Sequence, residues 1–294
     1  MIMDLSIIIV NFNNPHLLGT CISTIIASNP HMKYEIIIVD NASNYDVKEQ
    51  IANSKWQTVP ISLIQNKTNI GFGNANNKGA EKAKGKYLLF LNTDIEVLDD
   101  AINAMYAFIK NQDTDVIVGG KLLNPDKTPQ PSSGPFFTIP VVFAMLFLKG
   151  DRIGLTRYSP REIRPVDWVS GACFMIKRET FRALDGFDKQ IFMYMEEVDL
   201  MYRAGKKGIQ TIFYSEAQFI HLGAATSTSR TIPILNIYDG LQYFYHKQYP
   251  VQDQRILSFL LKTKARISFI LGLAVGNEQV ARTYREAMRR LVIT

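Results

Sequence analysis

The stretch Leu88-Leu89-Phe90-Leu91-Asn92-Thr93-Asp94 runs four apolar residues straight into an isolated carboxylate. Such a run reads as a buried parallel strand, and the C-terminal ends of parallel strands are where open α/β sheets hold ligands. An acid delivered there suits a hard divalent cation bridging to a diphosphate, because oxygen ligands and phosphates complete the shell of Mg²⁺ or Mn²⁺. The competing role is local, with Thr93 or Asp94 capping a helix that starts near Asp99-Asp100-Ala101. A second chemical cluster is Tyr194-Met195-Glu196-Glu197-Val198-Asp199-Leu200-Met201-Tyr202-Arg203. The macrodipole alone favours three acids at a helix start, and Asp199 can pair with Arg203 one turn on. Glu196 and Glu197 project about 100° apart around such a helix, so at most one faces a given cleft. A carboxylate beside another acid holds its proton more tightly, which is what a general base needs. His221 follows the strand-like Thr211-Ile212-Phe213-Tyr214 and is either a structural residue or a metal ligand. The small residues after it, Gly223-Ala224-Ala225-Thr226-Ser227, make a loop able to wrap phosphate oxygens with backbone N–H groups.

These groups need a scaffold, and the first ~120 residues alternate strand and helix patterns as a doubly wound sheet does. Leu5 to Val10 and Glu35 to Asp40 are buried strands, the second ending in a carboxylate, and Val59 to Ile64 offers a third. Between the first two lies a helix that Asn14 can cap, with Pro15 at its first position and an end near Asn29-Pro30. Ala75 to Lys84 reads as a helix stopped by Gly85, Asp99 to Lys110 as another, and Asp115 to Val118 as a strand. Residues 124–165 are rich in proline and predict an irregular surface excursion. Its apolar piece, Phe136 to Leu148, is too short to span a bilayer and is expected to pack or to lie at an interface. Regular structure resumes from Val166 to Ile176, followed by a helix from Arg178 to Leu184 closed by Gly186.

A chain of 294 residues, 47% hydrophobic, can bury a full core. Cys21 and Cys173 are far apart in apolar surroundings, so they read as structural thiols of a reducing compartment. The N-terminus enters a strand without a basic leader, and no run of about 18 apolar residues occurs, so a cytoplasmic protein is expected. Residues 252–294 hold eight Lys and Arg against three acids, five of the six net positive charges. No aromatic-interleaved basic motif or zinc spacing accompanies them, so nucleic acid is not the expected partner. Apolar clusters from Ile256 to Leu273 alternate with Lys262, Lys264 and Arg266, giving a helix with apolar and basic sides. That suits peripheral contact with an anionic membrane; the alternative is packing on the remainder of the chain or on a second subunit of a homo-oligomer.

Several segments occur in a telling order: Ser6-Ile7-Ile8-Ile9-Val10-Asn11-Phe12-Asn13, Val39-Asp40-Asn41-Ala42-Ser43, Asn69-Ile70-Gly71-Phe72-Gly73-Asn74-Ala75-Asn76-Asn77-Lys78-Gly79, Leu91-Asn92-Thr93-Asp94, Glu196-Glu197-Val198-Asp199-Leu200 and His221-Leu222-Gly223. The set resembles the bacterial family-2 inverting glycosyltransferases of GT-A fold, in particular their rhamnosyltransferase-like branch, over about residues 4–225. The resemblance implies an α/β, mostly parallel sheet flanked by helices. Residues 1–123 would form the nucleotide-sugar-binding half, 124–225 the acceptor-binding and catalytic half, and 226–294 a helical basic extension. It assigns donor binding to Asp40, Ser43, Asn69, Gly71, Phe72, Asn76, Asn92 and Asp94. A divalent cation, Mn²⁺ or Mg²⁺, would be held by Asp94 and His221, although the first acid of the family's metal triplet is replaced here by Asn92. Glu197 would be the catalytic base, with Trp168, Gly171, Ala172 and Glu196 on the acceptor side.

The implied reaction moves a sugar, rhamnose first among the choices, from a dTDP- or UDP-sugar to a saccharide or lipid-linked saccharide in surface polysaccharide synthesis. A catalytically inactive sugar-binding or scaffold protein of the same fold is the alternative. A dinucleotide-dependent oxidoreductase is excluded, because Gly71-Phe72-Gly73-Asn74-Ala75-Asn76 lacks the third glycine and does not follow the first strand.

Overall fold

Long apolar runs buried on both faces become the strands of one nine-stranded sheet. The structure, a computed structural model, describes residues 3–52, 56, 59–223 and 231–291. β1 (Met3–Asn11), α1 (Pro15–Ala27), β2 (Tyr34–Asp40), α2 (Val47–Ala52), β3 (Ile61–Gln65), α3 (Phe72–Lys82) and β4 (Gly85–Asn92) alternate as expected. Their strands lie in the order β3-β2-β1-β4, all parallel. β5 (Ile95–Val97), α4 (Ala101–Lys110), β6 (Val116–Leu123), β7 (Ser133–Gly134), α5 (Ile139–Phe147), β8 (Arg164–Val166), β9 (Trp168–Val169), β10 (Cys173–Lys177) and α6 (Arg178–Ala183) follow. α7 (Glu196–Lys206), β11 (Gln210–His221), α8 (Thr231–Gln248), α9 (Val251–Ala274) and α10 (Glu278–Arg290) complete the described chain. β10 enters antiparallel between β4 and β6, and β11 pairs with β6 in parallel while carrying the short β8 and β5. Six strands thus run one way, against β5, β8 and β10: a mostly parallel α/β sheet.

The alternation of side chains divides the core. Leu5, Ile7, Ile9, Leu89 and Leu91 face α1 and α4 through Leu18, Ile22, Ile102 and Met105. Ile8, Leu88, Phe90, Phe174 and Phe213 face the opposite layer, where Phe181, Leu200, Leu241, Phe244 and Leu261 come from α6, α7, α8 and α9. Each such side chain contributes on the order of 1.5–3 kcal/mol of burial free energy. The C-terminal helices therefore share the core of the sheet.

Several local expectations change. α3 starts at Phe72, ahead of Ala75, and Gly85 opens β4 instead of ending the helix; a Cβ there would run into the Ser6 backbone nitrogen. Asn14 makes no side-chain cap, its amide donating instead to the Phe12 carbonyl at 2.9 Å. Thr93 and Asp94 cap no helix, because the chain passes from Asp94 into β5. The excursion over 124–165 is more regular than its prolines imply. It contains α5, which packs on α9, the small β7–β9 sheet, and β8 paired with β11. α9 turns Leu257, Leu260, Leu261 and Ala265 inward, while its outer face mixes Ile256, Phe259, Ile267 and Ile270 with Arg255 and Arg266. Its apolar residues therefore occupy both sides, rather than one apolar and one basic side. Of the loop after His221, residues 224–230 lie outside the described residues.

Candidate active site

β1, β2 and β4 end side by side on Asn11, Asp40 and Asn92 at the carboxyl edge of the sheet, the edge at which open α/β sheets bind ligands. Asp40 Oδ1 accepts from Asn11 Nδ2 at 2.9 Å and from Ser43 Oγ at 2.5 Å, and Oδ2 from the Ser43 N–H at 3.2 Å. A carboxylate offers about four acceptor positions, so one remains for an incoming donor group. Asn41 organises the next loop: its amide donates to Asn69 Oδ1 at 2.8 Å, and its Oδ1 accepts from Asn66 Nδ2 and the Ile70 N–H, both at 3.1 Å. Asn69 Oδ1 also receives the Gly71 N–H at 3.0 Å. Gly71 has φ 87°, and a Cβ would strike the Phe192 carbonyl, so glycine is required for this loop to enter α3. Asn76 departs from expectation: it is 1% exposed and its amide bonds back to the Phe72 carbonyl at 3.1 Å, so it braces α3 from within.

The strand-end acid and the histidine, 127 positions apart in sequence, meet. β5 pairs with the end of β11, which sets His221 opposite Ile95 and brings its Nε2 to 3.3 Å from Asp94 Oδ1. The other ring nitrogen lies 2.6 Å from Gln130 Oε1. Gln130 Nε2 donates to the His221 carbonyl at 3.2 Å and to Asn124 Oδ1 at 3.1 Å, which fixes the amide with its oxygen toward the ring. Nδ1 is then the nitrogen that donates to Gln130, and Nε2 lies beside the Asp94 carboxylate. That donor pair fits Mn²⁺ or Mg²⁺. No set of three or more His, Cys, Asp or Glu gathers for a metal among the described residues.

α3 and α7 bring their N-termini together. A Cβ on Gly73 would lie 3.5 Å from Glu196 Cβ, and one on Gly171 would lie 3.3 Å from Phe72 Cε1 and 3.6 Å from Glu197 Cβ. Glu196 therefore faces the donor-side helix, not the acceptor side expected for it, while Glu197 faces Gly171. Burial pushes both carboxyls above their ordinary range. For Glu197 this is opposed by its own N–H, the Arg157 charge and the N–H groups of Gly171 and Val198. For Glu196 the charge of Glu197 adds to the effect of burial, and its proton is held well above the usual value. One oxygen of each, Oε2, is buried without a hydrogen-bond partner among the described residues. A buried carboxylate oxygen without a partner calls for a donor that the described residues do not supply.

The sequence profile of glycosyl transferase family 2 matches residues 6–184, which is more than half of the chain. The chain belongs to that family. Among curated relatives, an N-acetylglucosaminyl-diphospho-decaprenol L-rhamnosyltransferase of Mycobacterium tuberculosis is 28% identical over 214 residues, 66% of this chain and 68% of the relative. The rhamnosyltransferase WbbL of Escherichia coli is 24% identical over 223 residues, covering 73% of this chain and 82% of its own. Solved GT-A glycosyltransferases share the fold. GalNAc-T7 with UDP, GalNAc and Mn²⁺ aligns with a TM-score of 0.59 at 19% identity, over 88% of this chain and 54% of that one. Residues 1–349 of Staphylococcus aureus TarS align at 0.55 and 13% identity, over 98% and 92%.

In this glycosyltransferase the acceptor side differs most from expectation. Trp168 is 2% exposed, donates Nε1 to the Pro135 carbonyl at 2.8 Å and stacks on Phe137 at 5.9 Å, so it supports the cleft from beneath. Over its ring, 5.3 Å from the centroid, lies the Arg157 guanidinium. Ala172 is buried, and its carbonyl accepts the Asn92 N–H at 3.0 Å, joining the end of β4 to the Gly171 turn. Sequence reasoning missed Arg157 and Gln130. Both lie in the proline-rich excursion, where no periodicity marks them.

Proposed function

We propose that the protein is an inverting glycosyltransferase of surface-glycan synthesis, moving a deoxyhexose, rhamnose first, from a dTDP- or UDP-sugar to a hydroxyl of a saccharide or lipid-linked saccharide. The observation that carries this reading is the placement of Glu197: raised proton affinity, an orphaned oxygen, and contact with the Gly171 turn beside the N-terminus of α3. The Glu197 carboxylate takes the proton of the acceptor hydroxyl as its oxygen bonds to the anomeric carbon. The bond from that carbon to the diphosphate breaks on the opposite face, its electron pair leaves with the phosphate oxygen, and configuration inverts. Asp40, Ser43 and the Asn41–Asn69 loop orient the nucleotide, and the N-termini of α3 and α7 offer N–H groups where negative charge gathers. A divalent cation held by Asp94 and His221 would supply Lewis-acid stabilisation of the leaving diphosphate.

The named rhamnosyltransferases among the relatives support the choice of sugar, and the polyprenyl diphosphate acceptor in one of those names supports a lipid-linked acceptor. Location follows the same reading. No helix among the described residues is long and apolar enough to cross a membrane. Arg255, Ile256, Phe259, Arg266, Ile267 and Ile270 all lie within an arc of roughly 120° on the exposed side of α9. α5, against which α9 packs, adds exposed Phe143, and the turn after it adds Leu148, Ile153 and Leu155. Apolar side chains interspersed with arginines suit peripheral attachment to an anionic cytoplasmic membrane face. The test of function is a thermal-shift screen of nucleotide sugars with Mn²⁺ or Mg²⁺, followed by transfer assays with the donor that binds. A protein stabilised by dTDP- or UDP-sugars that neither hydrolyses nor transfers them is not this enzyme.

A further inference from the structure

The helix that carries Glu197 is gripped by the C-terminal extension, which lies beyond the family match ending at residue 184. Tyr194 and Met195, immediately before α7, both have left-handed backbone, with φ 68° and 74°. Residues with a Cβ keep that conformation only where their surroundings impose it. α8 imposes it. Gly240 packs directly on the turn, and a Cβ there would sit 2.9 Å from the Tyr194 carbonyl oxygen and 3.0 Å from Met195 Cγ. Two turns further along α8, Lys247 Nζ lies 2.9 and 3.0 Å from the two oxygens of Asp199 and 2.6 Å from Asp188. Gln248 Nε2 donates to Asp199 at 3.0 Å, and the Tyr243 hydroxyl donates to Asp188 at 2.9 Å. Asp199 is 0% exposed, two residues from Glu197 on the same first turns of α7, and Arg203 of α7 completes its pairing at 2.7 Å.

A buried carboxylate held by an ammonium, a guanidinium and an amide from two helices is a geometric lock, because each charge left alone would be costly. The loop it fixes also reaches the donor side. Asn77 of α3 exchanges hydrogen bonds with Phe187 at 2.8 and 2.9 Å, and the Phe72 N–H donates to the Phe192 carbonyl at 3.0 Å. One connected segment, 187–195, is thus held by the donor helix on one side and by α8 on the other.

We propose that α8 is a positioning element of the active site: Gly240 and the Lys247–Asp199–Asp188 network hold the Tyr194–Met195 turn, and so set where the Glu197 carboxylate stands against Gly171. Gly240 and Lys247 are positioning residues, acting on the base through the turn and through Asp199. The inference rests on Glu197 being the base. The titratable and charged groups beside the Glu197 carboxyl are Glu196, Tyr194 and Arg157, while Asp199 on the next turn is met by Arg203 and Lys247. Loosening the lock moves Glu197 away from the Gly171 N–H and from Arg157, two influences that favour its ionised form, so its proton is held more tightly and the acid limb of activity moves to higher pH.

The test uses the full chain with Lys247→Met, which keeps most of the stem and removes the charge, and Gly240→Ala, which wedges the turn. In both, kcat is expected to fall by about ten- to a hundredfold, as small misplacements of reacting groups do. The acid limb of kcat/KM should shift upward, while the affinity for the nucleoside diphosphate, measured by calorimetry, stays within about twofold of the parent. Unchanged kcat and acid limb in both variants overturn the proposal, as does diphosphate affinity that falls in step with kcat, the sign of a generally loosened fold. If Lys247→Met does not fold, Gly240→Ala decides. A fully active Glu197→Gln would instead remove the base assignment, and the proposal with it.

Discussion

Glu196, buried, and Glu197, half-buried, are adjacent and both raised in proton affinity, yet different groups act on them. Glu197 receives N–H groups from itself, Gly171 and Val198 and feels the charge of Arg157, whereas Glu196 has its own N–H and is opposed by Glu197. Glu197 therefore has the larger set of groups favouring its charged form. Glutamine at 196 keeps the shape of that side chain and leaves the base at 197 in place, so kcat for Glu196→Gln should stay within about threefold of the parent. Glutamine at 197 removes the proton acceptor. Loss of a general base costs about 10²- to 10⁴-fold, or roughly 2.7 to 5.4 kcal/mol of barrier. The affinity of Glu197→Gln for the nucleoside diphosphate should not change. The assay is kcat and kcat/KM against pH, with transfer followed by product separation. In the parent, the acid limb should lie above the ordinary carboxylate range near 4.3. Glu196→Gln should retain an acid limb, because the base at 197 remains. Stability gives an independent check. A folded-state proton affinity raised above the unfolded one contributes stability below about pH 4.3, lost as pH rises through the folded value. Glu196→Gln removes this dependence, so its Tm should exceed that of the parent at alkaline pH, and the advantage should vanish on acidification. The reasoning is refuted if Glu196→Gln is as crippled as Glu197→Gln, or if Glu197→Gln keeps more than about a tenth of the parent kcat.

Asp94→Ala should abolish the metal-dependent part of nucleoside diphosphate binding in calorimetric titrations with and without Mn²⁺; binding still enhanced by metal as in the parent would sink the cation site. Asp40→Ala should weaken nucleoside recognition while leaving the metal requirement intact, and an unchanged Kd would remove Asp40 from the donor site. Full-length protein should float with anionic but not neutral liposomes, with about 1 kcal/mol per nearby basic residue, fading as salt is raised. The double substitution Phe259→Glu and Ile270→Glu should reduce flotation, and undiminished flotation would rule out the α9 face.

The β1, β2 and β4 segments were legible because strands buried on both faces leave continuous apolar runs, and Asp40 and Asp94 because a charge ending such a run has few local uses. β10 is also apolar, but its antiparallel entry between β4 and β6 leaves no mark in five residues. Glu197 and Glu196 were visible as a pair, whereas the side each faces is decided by Gly171 and Gly73, small residues from distant segments. Trp168 was placed at the acceptor by the family resemblance alone. Its burial depends on Phe137 and Pro135, more than thirty positions away. Gln130 shows the same limit: one amide among prolines gains its role only when β11 delivers His221 to it across 91 positions.

The insertion of β10 has a consequence for how the protein is made. During synthesis from the N-terminus, β3, β2, β1 and β4 can assemble early, but β4 then presents a bare apolar edge, and β6 emerges with neither of its neighbours. Both edges are sealed only when residues 173–177 arrive, and the far side of β6 waits for β11. A nascent chain stalled between β6 and β10 thus exposes three adhesive ladders of N–H and C=O groups, one on β4 and two on β6. Low expression temperature or chaperone supply should therefore improve recovery of soluble protein, and C-terminal deletions reaching into β10 should aggregate rather than yield a folded donor-binding half.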